Sequence, residues 1–277
     1  MFRSGQVVTI ESQADLTPET VPPELVIGTP RLHKPLAPLP HEKALYGPVP
    51  AASDFPGLKF YLACDEVSDG QVKDAVSGKL VGKLGGNELV DGPRGRALQL
   101  VGEHSGRAPV SGLELTSPCV IPAGKPFTMA FWARWDVDVG TNVLPHTIYA
   151  RSVMGPQERA IRMLRWNDRI TVNCSDPTAE KLAGVNRLLP DPRKWHHITL
   201  IRNEKNELGL FVDGEGGIPE KPMQFSGVFD YDSLAIVPGN SGKHVISIDE
   251  FCIFDRVLSS DEVAALAGRK ELSKAKK

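Results

Sequence analysis

Phe127-Thr-Met-Ala-Phe-Trp-Ala-Arg-Trp135 is the stretch whose pattern decides the fold. In an extended chain successive side chains point to opposite faces. Phe127, Met129, Phe131, Ala133 and Trp135 therefore share one face, and Thr128, Ala130, Trp132 and Arg134 share the other. A helix would scatter the large apolar residues around its circumference, whereas period two gathers them on one side. The segment is expected to be a half-buried strand with a second aromatic surface.

Outward from it, the chain from Leu58 onward continues as short β-type runs separated by turn residues, the spacing of a sandwich. Strands are expected at Leu58–Cys64, Ala97–Val101, Phe127–Trp135, Thr147–Arg151, Ala160–Trp166, Arg169–Cys174, Trp195–Arg202, Leu208–Val212, Ser233–Val237 and Ile248–Phe254. Asn167-Asp168, between Trp166 and Arg169, is hairpin chemistry, because both residues tolerate the positive φ of two-residue turns. One helix is expected, at the C-terminal end. Ser259-Ser260-Asp261-Glu262 supplies an N-cap and first-turn acids, Val263 and Leu266 form an apolar stripe, and Gly268 closes it. The fold class that follows is all-β, a two-sheet antiparallel jelly-roll sandwich with a short C-terminal helix.

The first 57 residues are different. Ten of the 23 prolines lie there (Pro18, Pro22, Pro23, Pro30, Pro35, Pro38, Pro40, Pro48, Pro50 and Pro56), which removes backbone donors and forbids a continuous helix. Residues 1–57 are an extended proline-rich arm, either a spacer or a docking segment, with strand character only at Glu24-Leu-Val-Ile-Gly28. The sandwich domain spans 58–268, and Arg269–Lys277 is a basic tail.

A net charge of -2, from 32 basic and 34 acidic residues, lacks the electrostatic footprint that tracking a polyphosphate requires, so nucleic acid is not an expected partner. No apolar run approaches the ~20 residues of a membrane span, and Met1–Asp15 lacks the layout of a secretory signal, so a soluble, unexported protein is expected. Cys64, Cys119, Cys174 and Cys252 stand far apart without a C-x-x-C pair. Isolated buried thiols are the plain reading, with disulfides as the alternative in an oxidising compartment.

Three groups of residues together resemble the laminin-G-like jelly roll of the concanavalin A-like lectin/glucanase superfamily. They are Phe60-Tyr-Leu-Ala-Cys-Asp-Glu66 with Asp74-Ala-Val-Ser-Gly78 and Gly95-Arg-Ala-Leu-Gln-Leu-Val-Gly102; Phe127–Trp132 with Trp195-His-His-Ile-Thr-Leu200 and Leu210-Phe-Val-Asp-Gly214; and Ile248-Asp-Glu-Phe251 with Phe254-Asp-Arg-Val-Leu-Ser-Ser-Asp-Glu-Val263. Val101 stands where that family usually has Asp. The resemblance implies a structural Ca²⁺ between the opening turn and the closing strand, with Asp74 and Asp249 as its ligands; such an ion takes about six to eight oxygens.

Retaining glycosidases of this fold, which resemble family-16 glycoside hydrolases, need two carboxyl groups about 5 Å apart. No Glu-x-Asp-x-(x)-Glu occurs here, and Asp249-Glu250 would point to opposite faces of a regular strand. His196-His197 are likewise adjacent and are expected to divide into one core and one surface residue. No Gly-x-Ser-x-Gly elbow is present, and Gly85-Gly86 and Gly214-Glu-Gly-Gly217 lack the setting of a phosphate cradle. The chain is therefore not expected to be an enzyme. For a glycan, the strongest candidates are Trp166 at the hairpin tip with Arg165, Asn167 and Asp168, followed by Trp132; core packing of the two indoles is the competing reading.

The expected function is a structural or assembly protein of a larger particle, for example a phage-type virion decoration or fibre component. It would dock on a protein partner by its N-terminal arm, within a homo-oligomer or larger assembly, and display a jelly roll able to meet surface glycans. The alternative is a stand-alone lectin-like module for glycan or protein.

Overall fold

The computed structural model describes residues 51–85, 87–105, 108–109, 112–115, 125–135, 146–152, 159–166, 168–175, 183–222, 233–236 and 242–269. The chain divides into units of residues 1–36 and 37–277, and all described residues belong to the second. A single 3-10 turn at Ala52–Asp54 comes first. The strands are β1 (Leu58–Leu62), β2 (Val72–Lys73), β3 (Leu80–Val81), β4 (Lys83–Gly85), β5 (Asn87–Asp91), β6 (Arg96–Ser105), β7 (Ala108–Pro109), β8 (Gly112–Leu115), β9 (Phe127–Trp135), β10 (His146–Ser152), β11 (Arg159–Trp166), β12 (Arg169–Ser175), β13 (Ala183–Leu188), β14 (His196–Arg202), β15 (Leu208–Val212), β16 (Glu215–Gly217), β17 (Ser233–Ile236) and β18 (Gly242–Phe254). Helix α1 (Ser260–Leu266) follows.

The strands form a nine-stranded sheet in the order β16-β15-β14-β9-β18-β6-β5, with β1 also on β18 and β7 on β6. A seven-stranded sheet runs β13-β12-β11-β10-β17-β8-β4, and β2-β3 is a separate hairpin. The expected antiparallel sandwich is what forms. One core fills it, built from the inward residues of both sheets: Phe127, Met129, Phe131, Leu200 and Leu210 from one, and Leu113, Met163, Val172 and Ile236 from the other.

β18 organises the larger sheet. Its first half pairs with β6, from Gly242 opposite His104 to Ile248 opposite Leu98. Its last residues pair with β1 on the same side, while β9 runs along its other side. Between Asp249 and Cys252 the register shifts, and Glu250 takes φ +53°. An extra residue in one strand flips the alternation beyond it. Ile246 and Ile248 face the core before the bulge, Phe251 and Ile253 face it afterwards, and Cys252 and Phe254 turn to the outer surface.

The deciding strand β9 is buried at all nine positions, beyond the half-buried expectation. Over Ala130 the outer face is capped by α1, through Val263 and Leu266, together with Ala52, Phe55 and Phe254. Phe55 meets Phe254 edge-on, with ring centroids 6.3 Å apart. Over Trp132 the cover is Trp195, Ala97 and Val90. The helix is where its signals place it. Ser259 Oγ accepts from the Glu262 amide at 3.3 Å, and Glu262 Oε2 accepts from the Ser259 amide at 2.8 Å. Hydrogen bonds from Arg256 hold the Glu262 carboxyl down at about 2. Gly268, at φ +68°, ends the helix in the left-handed region.

Phe251 packs edge-on against Phe60 and tilted against Phe131, directly after the bulge. Phe251→Ala is expected to cost about 3–5 kcal/mol and Ser259→Ala about 1 kcal/mol. In urea titrations both should lower the midpoint without changing the slope.

Candidate functional site

The hairpin expected at Asn167-Asp168 joins β11 to β12, with Trp166 opposite Arg169 in the register. Its four predicted ligand residues separate. Asp168 is exposed. Asn167 and the Trp166 side chain lie outside the described residues. Arg165 is buried, 5% exposed, because it stands opposite the core residue Ile170 and shares the inward face of β11 with Met163. Trp132, the other indole considered, is fully buried, so core packing prevails there.

Beside Asp168, β12 and β13 present an accessible polar strip that sequence reasoning missed. Arg169 and Asn186 are exposed, and an Arg169 guanidinium N–H donates to Asn186 Oδ1 at 3.0 Å. Thr171 is opposite Asn186, and Asn173 is opposite Gly184. A Cβ on Gly184 would lie 3.1 Å from Asn173 Oδ1, so the glycine leaves space for that carboxamide. Leu188, opposite Arg169, is 54% exposed. The strip thus combines a guanidinium, two carboxamides, a hydroxyl, a carboxylate and one aliphatic side chain. Groups of these types can hydrogen-bond hydroxyl-rich or peptide ligands. β13 itself was missed because Ala-Gly-Val-Asn-Arg-Leu has weak alternation and a glycine at its second position.

Asp74 caps the turn after β2. Its Oδ1 accepts from the amides of Tyr61 (3.0 Å) and Val76 (3.1 Å), and its Oδ2 accepts from the amide (3.1 Å) and hydroxyl (2.5 Å) of Ser77. Those four donors fill its lone-pair directions. Asp249 lies elsewhere, on the bulge. Its Oδ2 accepts from the Arg94 amide at 3.0 Å, while the buried Oδ1 has no hydrogen-bond partner among the described residues. Among those residues no group of three or more His, Cys, Asp or Glu is placed to hold a metal ion.

The expectation that Asp249 and Glu250 face apart is corrected by the bulge, which brings both to Arg94. The Tyr61 hydroxyl lies 2.8 Å from each Glu250 oxygen, and Arg94 Nη1 lies 3.5 Å from Glu250 Oε2. Burial, then the neighbouring Glu250 charge, pushes the Asp249 carboxyl up to about 9. Burial likewise raises Glu250 to about 7, against the Tyr61 hydrogen bond and the Arg94 charge. The turn between β5 and β6 is moulded on these acids: a Cβ on Gly92 would lie 2.5 Å from Asp249 Oδ2, and one on Gly95 would strike Asp65 Oδ1.

His196 and His197 are both buried, correcting the expected core-and-surface division. His196 Nδ1 is 2.7 Å from Asp213 Oδ2 and its Nε2 is 3.1 Å from the Asp191 carbonyl. Both ring nitrogens face oxygens that accept, an arrangement that favours the doubly protonated ring. Burial alone would lower its pKa, but the hydrogen bond and charge of Asp213 prevail and raise it. His197, edge-on to Trp132 at 5.2 Å, is driven by burial down to about 4. Cys64 and Cys252 are buried free thiols, held up above their ordinary value mainly by burial.

The chain belongs to the concanavalin A-like lectin/glucanases superfamily: the laminin G-type family model of that description matches residues 110–264, more than half of the sequence. No curated protein matches the sequence. Among solved structures, the binding domain of Paraclostridial Mosquitocidal Protein 1 is similar at TM-score 0.57 and 19% identity, covering 76% of this chain and 52% of that one. Botulinum neurotoxin type C, whose cell entry depends on two ganglioside molecules, is similar at 0.58 and 14%, covering 78% and 52%. The binding domain of botulinum neurotoxin DC, solved in complex with rat synaptotagmin II, is similar at 0.57 and 14%, covering 76% and 51%. The chain spans about half the length of these structures, and the likeness is one of fold.

The two histidines give opposite pH dependences. The raised pKa of His196 stabilises the fold fully below about 6.5 and loses that contribution as pH rises through its folded value; the lowered pKa of His197 costs stability as pH falls from about 6.5 towards 4. Asp213→Asn is expected to destabilise by about 3 kcal/mol near pH 6, with a smaller loss near pH 9, in denaturant titrations at the two pH values.

Proposed function

We propose that this chain is a non-catalytic binding module of a larger particle, such as a phage-type virion decoration or fibre protein. Its proline-rich arm docks on a protein partner and its sandwich displays a surface for glycan or protein. The observation that carries the binding reading is the strip of exposed Asp168, Arg169, Asn186 and Leu188 with half-buried Thr171 and Asn173 on a lectin-type sandwich. The assembly half rests on the proline spacing of residues 1–57. A stand-alone lectin-like module is the second reading, supported by the same strip. Non-catalysis is supported by the fate of the acids nearest to a hydrolase pattern: Asp249 and Glu250 are buried and turned onto Arg94.

A glycan array probed with the full chain tests the strip. Arg169→Ala and Asn186→Ala are expected to weaken bound glycans about tenfold each, by removing hydrogen bonds worth about 1–1.5 kcal/mol. Unchanged binding would move the site elsewhere, and cleavage of an oligosaccharide on incubation would restore the hydrolase. Light scattering of the full chain against one beginning at Ala51 tests the arm, whose loss should abolish any higher assembly.

A structural Ca²⁺ is proposed at Asp249, whose Oδ1 is buried without a hydrogen-bond partner among the described residues, and not at Asp74, whose oxygens are filled. Millimolar Ca²⁺ should raise the Tm of the wild type but not of Asp249→Asn, whereas Asp74→Asn should lower Tm equally with and without the ion.

A further inference from the structure

The hairpin β2-β3 ends in a tip whose six residues, Ala75 to Leu80, are all exposed. Val76 (47% exposed) and Leu80 (45%) are two of the three large apolar side chains left open among the described residues. Scattered single aliphatics are ordinary on a protein surface. Two on one tip, beside Lys73 and Lys79, form a patch of defined chemistry.

The patch is rigid. Behind it Val72 and Val81 face each other across the ladder and are buried in the main core. The Asp74 amide donates to the Lys79 carbonyl at 2.9 Å, the Gly78 amide donates to the Asp74 carbonyl at 2.8 Å, and the Ala75 amide donates to the Tyr61 carbonyl at 2.8 Å. Gly78 sits at φ +71°, where a side chain would be strained. Asp74, the sole acid between Lys73 and Leu80, is turned inward, 5% exposed, with its oxygens covered by Tyr61, Val76 and Ser77. No carboxylate among the described residues pairs with Lys73 or Lys79. Exposed Glu66 and Asp69 precede β2, and Asp69 lies in the Ser68–Gln71 turn at the opposite end of the ladder. The tip therefore presents aliphatic groups and two lysines that have no ion-pair partner among the described residues.

We propose that the Lys73–Leu80 tip is a contact site for an anionic lipid surface, with Val76 and Leu80 entering the interface and the two lysines reaching the headgroups. A convex tip of this size falls far short of the roughly 800 Å² per partner that a stable protein interface buries. A bilayer surface demands no matching shape, and lysine stems lie along apolar surface while their charges stay in water. Each lysine near an anionic leaflet strengthens binding about fivefold, so one tip is a weak anchor that gains strength when several copies act together. The tip shares no residue with the polar strip on β12 and β13.

The test is co-sedimentation of the full chain with vesicles of phosphatidylcholine alone and with phosphatidylserine added, at low and high salt. The wild type is expected to bind the anionic vesicles selectively and to release in salt. Lys73→Gln with Lys79→Gln should weaken that binding about 25-fold, and Val76→Ser with Leu80→Ser should weaken it at least tenfold, with unchanged melting because all four side chains are exposed. The basic tail, Arg269–Lys277, is present in every variant, so its attraction cancels. Equal binding to both vesicle types, no binding to either, or variants that bind like the wild type would each overturn the proposal. Loss of a purified protein partner by the variants, without vesicle binding by the wild type, would assign the tip to protein instead. Glycan binding lost through Arg169→Ala but kept in the tip variants would separate failure of this inference from failure of the module reading.

Discussion

The larger sheet depends on one bulge. β18 must serve β9 along one side and two strands, β6 and then β1, along the other. A regular strand through Ile248-Asp249-Glu250-Phe251 would put Ile248 in the core and Phe251 outside it. The extra residue at Glu250, held at φ +53°, restores the phase, so that Phe251 and Ile253 enter the same core as Ile246 and Ile248. Left-handed backbone costs a non-glycine residue of the order of 1–2 kcal/mol. What keeps it there is the Glu250 carboxyl against the Tyr61 hydroxyl and Arg94, together with the phenylalanine packing that the bulge permits.

The same device recurs at other corners of the sandwich: an acid turned inward to hold backbone from a different element. Asp249 receives the Arg94 amide across 155 residues of chain. Asp74 receives the Tyr61 amide and ties the β2-β3 tip to β1. Asp213, itself at φ +52°, receives the His197 amide and pairs with His196, fixing the β15-β16 turn to β14. Asp249, Asp74 and Asp213 are thereby spent on architecture.

Much of the framework was legible in the sequence. β9 and β15 occupy the predicted residues, and the helix has its predicted cap, because period-two alternation and capping are local properties. The strands that went unread, β2, β3, β4, β5, β7, β8, β13 and β16, are short or weakly patterned, and they exist because a neighbour completes their ladders. The bulge was illegible for a related reason: nothing in Asp249-Glu250 signals positive φ, which is imposed by the partner change along β18. The candidate site was legible only in part. The Asn167-Asp168 turn adjoins the polar strip, but Arg165 turns inward there, and the accessible polar groups next to it come from β12 and β13.

How the two sheets are covered explains why polar groups are left accessible beside that turn. The outer side of the nine-stranded sheet is closed over β9: α1 and residues 52–55 seal one end, Trp195 and Trp132 close the other, and even His197 and Thr199 are inaccessible. A ligand there would have to displace packed aromatic groups. On the seven-stranded sheet, by contrast, the alternation that buries Ile170, Val172 and Val185 leaves Arg169, Thr171, Asn173 and Asn186 facing away from the core. Their hydrogen bonds can be exchanged for those of a ligand without disturbing the interior. Along β12 and β13 the chain thus leaves polar groups on strands that are already stabilised from their other side.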